Sequence, residues 1–270
     1  MINNLVLGSE GFVGKSFSYY LNKIGEKVVR FDIKRSQKED LRYVKINFKG
    51  IDKIYFFAWD VGGAKYLYEK ESQFIQLDWN LKLLLNVMPQ IQSSNLPFIF
   101  ISSQLAEEYD TVYGVTKRLG EIWTHLLKGV RVRLWNVYGT PEMPSERSHV
   151  IGDLIYQALT NKKLKLMTNG EEKRQFIHID DASRAFHIAL SSNLQGVYDV
   201  TSFEWVSIID IADIIAKITK STINKGKCIG NTPNTPIKGK IPGWQPKVNL
   251  YEGLKRQIDQ TRQIINLKNK

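Results

Sequence analysis

The run "NLVLGSEGFVGKSFSYYLNKIGEKVVRFDI", residues 4–33, constrains the fold more than any other part of the chain. It reads as an apolar strand, a glycine-rich turn, a helix of about three turns and a second apolar strand ending at Asp32, which together make a βαβ unit. The glycines follow the pattern Gly8-x-x-Gly11-x-x-Gly14 and sit between the first strand and the helix. Gly8 permits the tight turn, Gly11 lets backbone approach a pyrophosphate, and Gly14 allows close helix–strand packing, while the helix N-terminus favours an anion. A carboxylate about 20 residues further on is placed to take an adenosine ribose hydroxyl, and Asp32 occupies that place. The same charge repels a ribose phosphate, so the expected cofactor is NAD. Lys34 and Arg35, close by, make NADP the lesser alternative.

Beyond this unit, strands and helices continue to alternate. Short strands are expected near Tyr43–Ile46 and Lys53–Ala58, a helix over Gln73–Met88, a buried strand in "LPFIFISS", a helix over Val112–Leu127 and a strand in "VRVRLWNV". That alternation predicts an α/β fold with a doubly wound parallel Rossmann sheet. After Tyr138 come a turn-rich "GTPEMPSE" and a helix near Val150–Leu159. "RQFIHIDDASRAFHIAL" reads as a strand and a helix with Asp180 or Asp181 near its N-cap. "GVYDVT" is one more strand, and a helix near Ile208–Ile218, a Pro/Gly loop and a closing helix from about Leu250 complete the chain. The expected division is a cofactor-binding domain of residues 1–140 and 176–202, and a small, sequence-discontinuous substrate lobe of residues 141–175 and 203–270.

Composition narrows the class. A hydrophobic fraction of 43% and a charged fraction of 24% over 270 residues describe a globular chain with a sizeable core. No apolar run reaches membrane-span length, and the N-terminus lacks the basic lead and apolar stretch of a signal peptide, so a cytoplasmic location is expected. One cysteine, Cys228, excludes an intramolecular disulfide. The net charge of +11 raises the question of nucleic acid. The basic residues are scattered and no nucleic-acid motif accompanies them, so an anionic small molecule is the expected partner. Asp180 and Asp181 beside His178 are explained by a helix cap, and no metal site is expected.

The chemistry concentrates in "ISSQLAEEYDTVYGVTK", residues 101–117. A Tyr and a Lys four apart on a helix share a face, but four of the 12 tyrosines have that spacing: Tyr19, Tyr66, Tyr113 and Tyr251. Context separates them. Tyr113 and Lys117 lie at a helix start, just after a strand ending in Ser102-Ser103. Together with "GSEGFVG", "FISS", "YGVTK", "RLWNVYG", "RQFIHIDD" and "GWQPK", this arrangement resembles the extended short-chain dehydrogenase/reductase superfamily, in its NAD-dependent nucleotide-sugar epimerase/dehydratase branch. The resemblance covers nearly the whole chain. It implies a catalytic Ser103, Tyr113 and Lys117. It implies cofactor contacts from Gly8, Gly11, Phe12, Val13, Gly14, Asp32, Ala58, Tyr113 and Lys117, and substrate contacts from Asn80, Ser103, Asn136 and Arg174. Tyr113 is the expected acid–base group, its phenol drawn down from ~10 by a Lys117 ammonium and the nicotinamide charge.

Departures from the family refine the expectation. The 4,6-dehydratases of the family follow the catalytic Ser/Thr with an Asp–Glu pair, where this chain has Gln104 and Leu105. The 3,5-epimerases use a Cys near this strand end, and none is nearby, although "AWDVGGAKY" is similar to the glycine pair of the GDP-mannose members. Ten positions separate Ser103 from Tyr113, fewer than the family usually has. What remains is oxidation or reduction at a sugar carbon, most simply a 4-epimerase working through a transient 4-keto sugar. The alternative is a 4-ketoreductase or 4-dehydrogenase with the same triad; a 4,6-dehydratase, a 3,5-epimerase and a silent dinucleotide sensor rank below. The resemblance further implies a nucleotide-diphosphate-sugar substrate, a role in surface-polysaccharide or glycan precursor synthesis, and a homodimer joined through the helices at 73–88 and 112–127.

Overall fold

The computed structural model describes residues 2–268. Eight helices and eleven strands follow one another: β1 (Asn3–Leu7), α1 (Phe12–Lys23), β2 (Lys27–Phe31), β3 (Lys53–Phe56), α2 (Ala64–Tyr68), α3 (Lys70–Ser94), β4 (Phe98–Ser103), α4 (Val112–Leu126), β5 (Val130–Leu134) and β6 (Asn136–Tyr138). Then come α5 (Val150–Asn161), β7 (Lys163–Lys165), β8 (Lys173–His178), α6 (Ile179–Ser191), β9 (Val197–Val200), β10 (Trp205–Ser207), α7 (Ile208–Thr219), β11 (Thr222–Asn224) and α8 (Leu250–Lys268). The main sheet has six strands in the order β2-β1-β3-β4-β5-β9, all parallel. Its order reverses between β1 and β3, and in an open α/β sheet the crevice at the carboxyl ends of such strands is where ligands bind.

Strand alternation distributes the core between the two faces. Val6 and Tyr55 pack with Phe17 and Leu21 of α1 and with Ala182, Ala185 and Phe186 of α6. Leu5, Leu7, Ile54 and Phe56, one position out of phase, pack with Leu83, Leu84, Val87 and Met88 of α3. A third core lies apart from the sheet, where Ile151, Leu154 and Ile155 of α5 meet Ile211 and Ile215 of α7 and Leu254 and Ile258 of α8. Within the stretch assigned above to the smaller lobe, Ile241 and Trp244 belong to the first of these cores. There Asp199 of β9 accepts the Lys238 and Gly239 N–H groups at 2.6 and 3.2 Å and Trp244 Nε1 donates to the Asp181 carbonyl at 3.1 Å.

Two expectations need correction. No strand forms near Tyr43–Ile46. Side-chain amides of α3 take the place of a neighbouring strand: Asn86 Nδ2 donates to the carbonyls of Leu41 and Val44, Gln90 Nε2 donates to that of Val44, and Gln90 Oε1 accepts from Ile46 N–H at 2.8 Å. The N-cap of α6 is His178, whose Nδ1 accepts from Asp180 N–H at 3.2 Å. Asp180 and Asp181 therefore stand in the first turn, where carboxylates favour the positive end of the helix dipole. Asp181, buried, accepts the N–H groups of Lys247 and Val248 at 2.8 Å each.

Candidate active site

The carboxyl ends of β1 and β3 open into a cleft of about 660 Å³. Its floor is the glycine turn. Gly8 has φ of +88° and donates its N–H to Phe31 O at 2.8 Å, and a Cβ there would lie 2.5 Å from Ala58 N. A Cβ on Gly14 would collide with the Gly8 carbonyl. The turn thus requires glycine for backbone conformation at one position and for close approach at the other. The N-cap of α1 is Gly11, with no side-chain cap, and the helix's first residues line the cleft with their N–H groups unclaimed by a side chain. Gly8, Gly11, Phe12, Val13, Gly14, Asp32 and Ala58 all line it. Asp32 is fixed at its rim, its two oxygens accepting Glu10 N–H at 2.9 Å and Lys34 N–H at 2.8 Å.

Ser103, Tyr113 and Lys117 line the same cleft. Ser103 closes β4; its Oγ caps the 3₁₀ turn Gln104–Glu107 by accepting from Leu105 N–H at 3.2 Å, and donates to Gln104 Oε1 at 3.1 Å. Thr111 caps α4 through Gly114 N–H at 3.0 Å, placing Tyr113 in the helix's first turn. Lys117, one turn further on, is buried and donates from Nζ to Ile101 O of β4 at 2.7 Å, with its ammonium 4.1 Å from the centre of the Trp59 ring. Burial pushes the Tyr113 phenol up to about 12, against the opposing hydrogen bond of Ser103. Burial likewise pushes Lys117 well below the ordinary lysine range, with the Glu121 carboxylate opposing. The lowered phenol expected from the Tyr–Lys pair is therefore absent from the protein's own electrostatics, because desolvation outweighs the lowering effect of Ser103.

The proposed substrate contacts divide. Asn136 lines the cleft and donates to Gln175 O at 3.0 Å. Asn80 does not line it. Fully buried, it accepts from Asp60 N–H at 2.8 Å and donates to Asp60 O at 3.1 Å, so both its polar ends hold the loop after β3. Arg174 does not line the cleft either, and its Nη1 donates to the carbonyls of Lys173 and Asn231 at 2.8 Å each. Tyr19 and Tyr251 are exposed, and the buried Tyr66 is a packing residue with a polar task.

That task belongs to a network that no local pattern announced. The buried Asp60 accepts from Arg147 Nη1 at 2.6 Å and from the Tyr66 hydroxyl at 2.7 Å, while Arg147 Nη2 donates to the same hydroxyl at 2.6 Å. The Arg147 guanidinium stacks over the Tyr66 ring. Burial and the Asp60 hydrogen bond push the Tyr66 phenol up to about 12. Gly63 donates its N–H to Arg147 O at 2.9 Å, and a Cβ on Gly63 would collide with the Ser148 carbonyl. The pair "GG" is thus where the loop after β3 docks backbone to backbone on the segment before α5. Arg147 lines the cleft, as do Glu142 and His149, which meet at 2.8 Å. Among the described residues no group of three or more His, Cys, Asp or Glu side chains is arranged to hold a metal, and no helix is long and apolar enough to cross a membrane.

Residues 4–200 match the NAD dependent epimerase/dehydratase family. The chain belongs to that family. Its relatives include UDP-glucuronic acid decarboxylase 3 of Arabidopsis thaliana, 24% identical over 153 residues, 53% of this chain and 44% of that protein. The match therefore spans less than half the length of that relative. A putative UDP-glucose 4-epimerase of Methanocaldococcus jannaschii is 23% identical over 247 residues, 80% of this chain and 78% of that one. Among solved structures, UDP-glucuronic acid 4-epimerase from Bacillus cereus, in complex with UDP-glucuronic acid and NAD, superposes with a TM-score of 0.79 at 24% identity, covering 97% of this chain and 100% of that one. The shared fold is the Rossmann-like parallel sheet.

Proposed function

We propose that the chain is an NAD-dependent 4-epimerase of a nucleotide-diphosphate hexose. The observation that carries this reading is the convergence of Ser103, Tyr113 and Lys117 on the cleft that the glycine turn opens, with an amide, Gln104, where a dehydratase needs a carboxylic acid. The glycine turn fits a dinucleotide. A Cβ at Gly8 or Gly14 would fill the space against the backbone, and the uncapped N-terminus of α1 suits a diphosphate. Gly8, Gly11, Phe12, Val13, Gly14 and Ala58 would hold NAD, with Asp32 on the adenosine ribose. When bound, NAD supplies hydride acceptance and return at the sugar's C4.

The chain's own residues do the rest. Tyr113 takes the proton of the C4 hydroxyl and returns it after the keto sugar has turned over in the cleft. Ser103 hydrogen-bonds the same oxygen and aligns it with Tyr113. Lys117, keyed to β4 through Ile101 O, holds the nicotinamide ribose and, when protonated, adds positive charge beside the phenol. A phenol raised to about 12 by burial ionises near neutrality only where positive charge is brought to it. Asn136 is the substrate contact retained from the sequence, and Asn80 acts by positioning the loop at Asp60. α3 and α4 carry the exposed apolar residues Phe74, Leu85, Leu119, Ile122 and Leu126, which supports a homodimer joined through these helices.

Product analysis tests the reading. Protein and NAD are incubated with UDP-, dTDP- and GDP-hexoses and the corresponding uronic acids. An isomer of unchanged mass without net NADH is the expected result. Accumulating NADH would make the protein a 4-dehydrogenase, and loss of water or of carbon dioxide would overturn the assignment.

A further inference from the structure

Of the two cations that sequence alone offers to a ribose phosphate, Arg35 is held in ion pairs, whereas Lys34 lines the cleft and makes no ion pair among the described residues. Arg35 lies three residues after Asp32, where a guanidinium would suit a 2′-phosphate. In the structure its Nε is 3.5 Å from Glu39 Oε2 and its Nη1 is 4.0 Å from Glu10 Oε1. Glu10 also faces Arg30, at 3.8 Å. Neither carboxylate is a loose surface partner. Glu39 ends the 3₁₀ turn Gln37–Glu39 and folds back so that its Oε2 accepts Asp32 N–H at 2.8 Å, and Glu10 is anchored at its own N–H by Asp32 Oδ2. Three carboxylates therefore converge on the turn where an adenosine 2′-substituent would lie. Arg42, the guanidinium that lines this end of the cleft, is held by Asp40 at 2.9 and 2.6 Å and stacks on Trp79.

We infer that Glu10 and Glu39 are specificity-determining residues that confine the protein to NAD, by holding Arg35 in ion pairs and adding negative charge beside Asp32. The inference rests on the dinucleotide reading of the glycine turn and deepens it. Each exposed pair contributes little to stability. Its consequence is for a ligand that brings about two further negative charges, since bidentate grip of a phosphate monoester needs an uncommitted guanidinium. The discrimination then resides in the pairing of Arg35 and the negative charge around it, and removal of the two carboxylates releases a guanidinium already present in the chain.

The test is titration calorimetry of the full chain with NAD and with NADP, for the wild type, Glu10→Gln/Glu39→Gln, and that double variant carrying Arg35→Ala or Lys34→Ala. Glutamine at 39 retains an acceptor for Asp32 N–H, so the turn is preserved. The double variant is expected to tighten NADP by at least about tenfold, the scale of two lost charge–charge repulsions near the surface, while NAD changes by less than about threefold. Adding Arg35→Ala is expected to abolish the gain, and adding Lys34→Ala to leave most of it. A gain that survives Arg35→Ala, or a ratio of the two affinities unchanged in the double variant, overturns the inference and leaves the NAD reading standing. A wild type that binds neither nucleotide overturns both.

Discussion

Arg133 is the most consequential single side chain outside the cleft. It lies on β5, its side chain wholly buried, and makes three charged hydrogen bonds: Nε and Nη2 to Glu121 at 2.6 and 2.8 Å, and Nη1 to Glu107 at 2.6 Å. Burial works against its charge, but the bonds and fields of Glu121 and Glu107 outweigh it and raise its pKa above the ordinary arginine range. Glu121 is 1% exposed on α4, so Arg133→Met would strand a buried carboxylate whose remaining partner, Arg118, is 40% exposed. Breaking one side of such a pair costs about 3–5 kcal/mol, a large share of the ~5–15 kcal/mol of net stability of a typical domain. At roughly 2–4 °C per kcal/mol for a chain this large, the melting temperature should fall by about 6–20 °C. Glu121→Leu added to Arg133→Met should recover much of the loss, because the stranded charge is gone and an apolar pair fills the space. Thermal and urea unfolding of the two single variants and the double variant form the cycle. A loss below about 1 kcal/mol for Arg133→Met, or a double variant less stable than Arg133→Met alone, would refute the reasoning.

Three further outcomes are expected. Tyr113→Phe should lower kcat by about 10²–10⁴-fold with folding intact, measured on whichever nucleotide sugar turns over; an unchanged kcat would remove Tyr113 from the chemistry. Gly63→Ala should raise KM and cost about 1–3 kcal/mol in urea unfolding, because its Cβ meets the Ser148 carbonyl where two backbones dock. Lys117→Met should abolish activity yet raise stability, since it removes an ammonium that burial disfavours. The native pKa of Lys117 is lowered and the unfolded one is about 10.4, so the unfolded chain holds the extra proton between those values. The deficit of wild type against Lys117→Met is then fully present below the native pKa and shrinks as pH rises toward about 10, which melts across that range would show.

Much of the fold was legible because its signals are local. The glycine turn, the strand after it and the start of α4 are each written within a few residues, and their order along the chain is enough to place Gly8, Asp32, Ser103, Tyr113 and Lys117 around one crevice. What failed to read through depends on partners far along the chain. The segment at 43–46 is apolar enough for a strand, but its backbone groups are taken by Asn86 and Gln90 of α3, some 40 residues later. β8 looks like one more strand of the parallel sheet, yet it pairs with β6 and β10 in a sheet of its own. Asn80, expected among the substrate contacts, spends its amide on the Asp60 backbone, and Arg174, expected beside it, commits Nη1 to the carbonyls of Lys173 and Asn231. Asp60 and Arg147, 87 positions apart, carry no sequence signal that they meet.

The short connection between Ser103 and Tyr113 and the Arg133 cluster are parts of one arrangement. Ten positions must carry the chain from a strand end to a helix start with both proposed catalytic groups in register. The Ser103 hydroxyl begins this by capping the 3₁₀ turn, and Glu107 at the end of that turn is held by Arg133. Gly114 completes it, since any Cβ there would collide with the Leu105 and Glu108 carbonyls, so α4 seats directly on the turn. Lys117 then returns to β4 through Ile101 O, two residues before Ser103. A longer loop would let strand end and helix start shift independently. Here Ser103 and Tyr113 are braced against each other through Glu107, Arg133 and Glu121, so loosening Arg133, which has no place in the cleft, should lower kcat as well as stability, whereas restoring the packing with Glu121→Leu should recover stability more fully than rate, because Glu107 would still lack its anchor.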